Sequence, residues 1–420
     1  MAYTLLQLGD FPGGNVTTEI QELRVDATDL QVGMFVCRLD RPWEGTPFPL
    51  QGLELRSQAD IRAIRALCKY VFIDAHRALK DVPKPVLTRT QLPESRFSRA
   101  VTYVDKNTVE EELPSAREAL DTASQMVDRI YLDIASGREL SIEYVEQAVR
   151  PLVSSVLRSK DAFLYLEGMR KHDSYTYSHA ITCSALAAAF GRHMGLTEDT
   201  IIGLAAGGLL MDVGKTRLPE TLLNYPGSLS ADEVQVVRSH VEHGLTIISA
   251  AGITDPDVID VVRTHHERFD GSGYPNRLLG NAIPVAGRML GIIDAYDAMS
   301  SVRPYRPAIS RHHALQHIYA ARHSLFQPEL VEQFQVCLGV YPTGSLVELN
   351  TGEVAVVMMQ NQVRRLRPRV LVLSTPNKQP LADFHVLDLM EQARDENMVE
   401  IVRSLGRSDY GIDAAEYFLH

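Results

Sequence analysis

Residues 209–215 read LLMDVGK, an apolar helical run that ends on an acid, with Gly214 and Lys215 just beyond it. Asp212 therefore sits where an inward helix face gives way to a turn, and a carboxylate there needs a partner. Working outward, YTYSHAITCSALAAAFGRHMG puts His179 on the preceding helix, with Gly195 as its stop and Thr197 as the next N-cap. Downstream, Ser230 and Glu233 form a capping box for the helix that carries His240. Asp255 and Pro256 open the following helix, whose stripe of Val258, Ile259 and Val262 is continued by His265 and His266. In RMLGIIDAYDAM, Asp294 lies four residues after Leu290 on the same inward face. Buried imidazoles and carboxylates are costly unless paired, and a divalent cation is the partner that would serve all of these groups.

The same helical spacing runs through residues 116–340, which predicts an all-α central domain. Before it, the runs ELRVDATDL, MFVCRLD and PLQGLELRS, then ADIRAIRALCK and YVFID, predict a small α+β domain over 18–80, behind a lead-in of 1–17. Residues 81–115, with four prolines and the acidic triplet Glu110, Glu111 and Glu112, read as a linker. After the helices, SLVELNTGEVAVVMM and RPRVLVLS alternate around a turn at Asn350, Thr351 and Gly352. They predict a β appendage over 341–376, followed by a C-terminal helix and tail over 377–420. The expected fold is multidomain, with helices in the centre.

Composition narrows the function. The 53 acidic against 42 basic residues give a net charge of −11, which excludes a surface built to neutralise DNA or RNA but leaves room for a small anionic ligand. Cys37, Cys68, Cys183 and Cys337 are scattered, so neither a zinc ribbon nor a disulfide framework is indicated, and a reducing compartment fits. No basic leader opens the chain, and no run approaches the roughly 18 apolar residues of a membrane span. The expectation is a cytoplasmic protein.

Residues 172–335 closely resemble the HD-GYP family of cyclic di-GMP phosphodiesterases. The matching motifs are SHA at 178–180, DVGK at 212–215, LPETLL at 218–223, His240, HHERFDGSGYP at 265–275, IIDAYDAMSS at 292–301 and RPYR at 303–306. The region from Glu19 to His76 is similar to the small domain that often precedes this module. The resemblance implies a two-metal site. One metal would be held by His179, the histidine of the HD pair, Asp212 and Asp294; the other by Asp212 as a bridge with His240, His265 and His266. The HD histidine is here Met211, a soft and weak ligand for the iron or manganese such pockets favour, so the first site is expected to be weakened. Tyr175 stands where family members with a third metal carry a glutamate, so two metals at most are expected.

By the same resemblance Asp212 and Lys215 would serve catalysis, with Lys215 facing the phosphate. Arg303 and Arg306 would contact the ligand's phosphates, and Tyr274 would contact ligand or, through the GYP loop, a signalling partner. The implied activity is metal-dependent hydrolysis of cyclic di-GMP or a related cyclic dinucleotide in bacterial second-messenger signalling, reduced by Met211. Two alternatives stay open: a receptor that binds without cutting, and a scaffold for partner proteins. The apolar helices between Ala116 and Met169 fit either a homodimer stalk or a core.

Overall fold

The computed structural model describes residues 22–40, 53–55, 57–74, 101–169, 175–225, 227–301, 308–361, 364–391, 398–406 and 409–411. The lead-in 1–17, most of the linker, and Arg303 and Arg306 lie outside them, as does the side chain of Tyr175. The chain divides into two units, one formed by residues 1–91 with 361–367, the other by 92–360 with 368–420.

In the first unit, β1 (Glu22–Asp26), β2 (Phe35–Leu39), β3 (Leu53–Glu54) and β4 (Tyr70–Asp74) form an antiparallel sheet in the order β1-β4-β2-β3. Helix α1 (Gln58–Leu67) starts at a capping box of Ser57 and Asp60. Its Ile61 and Ile64 bury against Val25, Val36, Val71 and Ile73, as the alternating strands and amphipathic helix predict.

The second unit begins with a correction. Helix α2 (Val109–Ala135) starts inside the stretch read as a linker, because all three acids of the triplet have partners. Glu111 closes a capping box with Thr108. Glu112 is buried and accepts from the Arg158 guanidinium at 2.6 and 2.9 Å and from Asn107 at 2.7 Å. Glu110 pairs with Arg369 at 2.9 Å. Proline and clustered charge suggested a linker, and the local cap and a distant arginine override them.

Then follow α3 (Ile142–Arg158), α4 (Lys160–Met169), α5 (Tyr175–His193), α6 (Glu198–Leu210), α7 (Glu220–Leu223), α8 (Ala231–Arg238) and α9 (His240–Ala250). Helices α10 (Pro256–Thr264), α11 (Val285–Ser300), α12 (Arg311–Ala320) and α13 (Pro328–Leu338) complete the bundle. The caps at Thr197, Ser230 and Asp255 form as expected. One apolar core runs through the bundle, with Phe163, Phe190 and Phe334 fully buried. Among the described residues no helix is long and apolar enough to cross a membrane.

A five-stranded antiparallel sheet follows, built from β5 (Leu346–Leu349), β6 (Val354–Met359), β7 (Arg369–Ser374), β8 (Pro380–Asp388) and β9 (Ile401–Ser404) in the order β8-β7-β6-β5-β9. This corrects the C-terminal helix expected over 377–420: β8 and β9 lie there instead. Val399 and Ile401 pack by strand alternation beneath the sheet, and β5 offers β9 an open edge with Arg403 paired to Glu348 at 2.6 Å. Residues 412–420 of that expected helix lie outside the described residues. The sheet is docked on the bundle through Asp161, which accepts from Thr343 Oγ1 at 2.7 Å and from the Gln360 amide at 3.1 Å.

Candidate metal centre

The turn after α6 decides the geometry. Asp212 leaves the helix into a 3-10 turn, Val213–Arg217, and α9 packs against that turn so closely that a Cβ on Gly214 would collide with the His240 carbonyl oxygen. Glycine at 214 thus lets His240, the first residue of α9, face Asp212. The His240 Nε2 to Asp212 Oδ1 distance is 3.5 Å, and His265 Nε2 reaches the same oxygen at 3.9 Å. Asp212, His240, His265 and His266 each bring one ligand atom to within 4.8 Å of all the others.

Asp212 Oδ1, His240 Nε2 and His265 Nε2 are buried and have no hydrogen-bond partner. Three polar atoms that face one another without a proton to share are what a divalent cation would satisfy, so this donor set fits a metal. The other ring nitrogens support that reading. His240 Nδ1 lies 2.7 Å from the Val237 carbonyl and His265 Nδ1 3.1 Å from that of Val261, which fixes the tautomer that leaves Nε2 bare.

On the opposite side of Asp212, His179 Nε2 lies 3.6 Å from Asp212 Oδ2 and 3.3 Å from Asp294 Oδ1. His266 Nδ1 is 3.6 Å from Asp294 Oδ2, so Asp294 touches both halves. Met211, next to Asp212, is fully buried within the apolar core. Its thioether is a poor donor for a hard ion in any orientation.

The charges match this layout. Burial pushes the Asp212 carboxyl up, but Lys215 and the imidazoles outweigh it and hold Asp212 well below the usual carboxylate range. Burial likewise opposes ionisation of Asp294, and its bond to His179 and the field of His266 reverse that. Burial lowers the His265 imidazole to about 4, and lowers those of His240 and His266 as well. At neutral pH the site therefore presents ionised carboxylates at Asp212 and Asp294 and neutral imidazoles at His240, His265 and His266, the protonation states that bind metal.

Lys215 Nζ lies 2.5 Å from Asp212 Oδ2, so without a metal it is spent on the carboxylate. Tyr274 stacks on His266 with centroids 4.6 Å apart at 25°. The loop around it is tied by Glu267, whose carboxylate accepts from the backbone of Asn276 at 2.7 Å and Leu278 at 3.0 Å. Gly273 is needed there, since a Cβ would strike the Arg268 amide.

Family models match three stretches of the chain: a domain of unknown function at 22–145, an HD domain at 151–330, and a KOW domain associated with HD domain at 346–410. A cyclic di-GMP phosphodiesterase of Pseudomonas aeruginosa is 32% identical over 379 residues, 90% of this chain and 91% of that protein. The chain belongs to the HD-GYP family. The response regulator RpfG of Xanthomonas campestris, also named a cyclic di-GMP phosphodiesterase, is 31% identical over 50% of this chain and 53% of its own. A Vibrio cholerae phosphodiesterase named as specific for 3'3'-cGAMP is 34% identical over 39% of this chain and 31% of its own.

Two residues of this HD-GYP chain, Asp297 and Arg238, escaped the sequence reading. Asp297 Oδ2 lies 2.6 Å from His179 Nδ1 and Asp297 Oδ1 accepts from Ser301 at 2.9 Å, so this carboxylate aims the His179 ring. Its position three residues after Asp294 on α11 was the available signal. Cys183, at 3.6 Å from His179 Nδ1, has its thiol pushed up to about 12 by burial and packs as a neutral wall. The second missed group is Arg238, whose guanidinium lies over the Tyr274 ring.

Proposed function

We propose that this chain is a metal-dependent phosphodiesterase for cyclic di-GMP or a related cyclic dinucleotide, slowed by Met211. The observation that carries the reading is the convergence of the unpartnered Asp212 Oδ1, His240 Nε2 and His265 Nε2. Iron or manganese, two ions at most, suits this mixture of imidazole and carboxylate. His240, His265, His266 and Asp212 would hold one; His179, Asp212 and Asp294 would hold the other without help from residue 211. Bound divalent ions supply Lewis acidity and lower the pKa of water in the site.

The chain's own groups do the rest. Asp212 spans both cradles, and Asp297 keeps the His179 proton on Nδ1. Lys215 is the cation on the approach side, its side chain 27% exposed while that of Asp212 is 6%. Once Asp212 is shared with a cation, the Lys215 amine is free to offset charge on a phosphate oxygen. Arg303 and Arg306 are proposed to grip phosphate, as forked guanidinium groups do. The free, buried Cys68, Cys183 and Cys337 support action in a reducing cytoplasm.

A second reading, capture of the dinucleotide without cleavage, is favoured by methionine at 211, buried in the apolar core, which leaves the cradle of His179, Asp212 and Asp294 one donor short. Anaerobic incubation of the protein with Mn²⁺ or Fe²⁺ and cyclic di-GMP, followed by chromatography, separates the two. Slow appearance of linear dinucleotide or GMP is expected. Tight binding without product would sink the enzyme and leave the receptor, and neither binding nor product would remove both.

A further inference from the structure

Arg238 ends α8, two residues before His240, and is half-buried. Its guanidinium carbon lies 4.7 Å from the Tyr274 ring centroid, and Tyr274 in turn stacks on His266 at 4.6 Å. Tyr274 therefore joins Arg238 to the metal-binding cluster through ring contacts with each. A guanidinium over an aromatic ring is attracted to it while its N–H groups stay free to bond elsewhere.

Among the described residues no carboxylate pairs with Arg238, whereas Lys215, a second cation at the site, lies 2.5 Å from Asp212. A fixed cation without a counter-ion, on a chain of net charge −11 and beside a cradle for one phosphodiester, calls for an anion supplied from outside. A cyclic dinucleotide brings one. Its ring holds two phosphates one nucleotide apart, and only one of them can lie between the metal-binding residues at a time.

We propose that Arg238 binds the phosphate that is not being cut, with Tyr274 as the platform that holds its guanidinium in position. This rests on the reading of the site as one for cyclic dinucleotides. It gives Tyr274 a supporting task, as the ring that both His266 and Arg238 contact. It also gives the site a preference for ligands that carry a second phosphate.

The test uses full-length protein loaded with Mn²⁺, and calorimetric dissociation constants for cyclic di-GMP and for GpG, the linear dinucleotide with a single phosphodiester. Arg238→Met should weaken cyclic di-GMP binding by about tenfold or more, with metal content unchanged, and shift GpG by less than about twofold. Arg238→Lys, which keeps the charge but not the fork, should recover part of the loss. Unchanged cyclic di-GMP binding in Arg238→Met overturns the proposal. An equal loss for both ligands does so too, because the guanidinium would then be reading a base or the reacting phosphate. If the unmodified protein binds no cyclic di-GMP, the reading of the whole site falls and takes this inference with it.

Discussion

On one side of Asp212, α9 and the end of α10 present His240, His265 and His266; on the other, α5 and α11 present His179 and Asp294, and Met211, the residue before Asp212, is buried in the apolar core. The first group offers three imidazoles, all made neutral by burial, to one bare carboxylate oxygen. The second offers one imidazole and two carboxylates. Because separate helices carry the two sets, a substitution on the turn after α6 can thin one cradle and leave the other whole. Asp212 and Asp294 link the two, since each carboxylate faces an imidazole of both groups.

That asymmetry can be broken at several depths. Asp212→Ala removes the shared ligand, and both metals and at least about a thousandfold of turnover should go with it, read by metal analysis and initial rates. Single deletions should separate the cradles: His265→Ala is expected to strip the tighter metal, while His179→Ala, acting on a site already thinned by Met211, costs less metal and less rate. Equal losses would erase the distinction. Asp297→Asn should weaken only the His179 side, by about 10- to 100-fold in metal affinity, through loss of the charge that aims its ring.

The smallest effect is on stability of the metal-stripped protein. His265 is lowered to about 4 by burial, against about 6.5 in an unfolded chain. Its neutral form therefore contributes fully above about pH 6.5, and that contribution is lost as the pH falls toward 4. The melting temperature of the stripped protein should drop by a few degrees between pH 7 and 5, and less so in His265→Asn. A steeper drop in the variant would contradict the assigned environment.

Much of this was legible from the chain because the ligands sit on strongly periodic helices with clear caps. Thr197, Ser230 and Asp255 fix where α6, α8 and α10 begin, and Asp212 and His265 follow just past the ends of α6 and α10, but the helix that Ser230 caps stops at Arg238 and His240 opens α9 instead. What stayed hidden depended on partners far along the sequence. Glu112 needs Arg158, β9 needs the edge of β5, and Arg238 meets Tyr274 only after the GYP loop has folded back. Asp297 shows the same limit at closer range: its spacing from Asp294 was visible, but its bond to His179 joins α11 to α5.

Metal content of anaerobically purified protein, beside that of Met211→His, tests the central claim most directly. The account predicts about one tightly held metal per chain in the unmodified protein, and two with faster hydrolysis in the variant. Two tight metals already present before substitution, and no change after it, would contradict the placing of residue 211 at the edge of the weaker cradle.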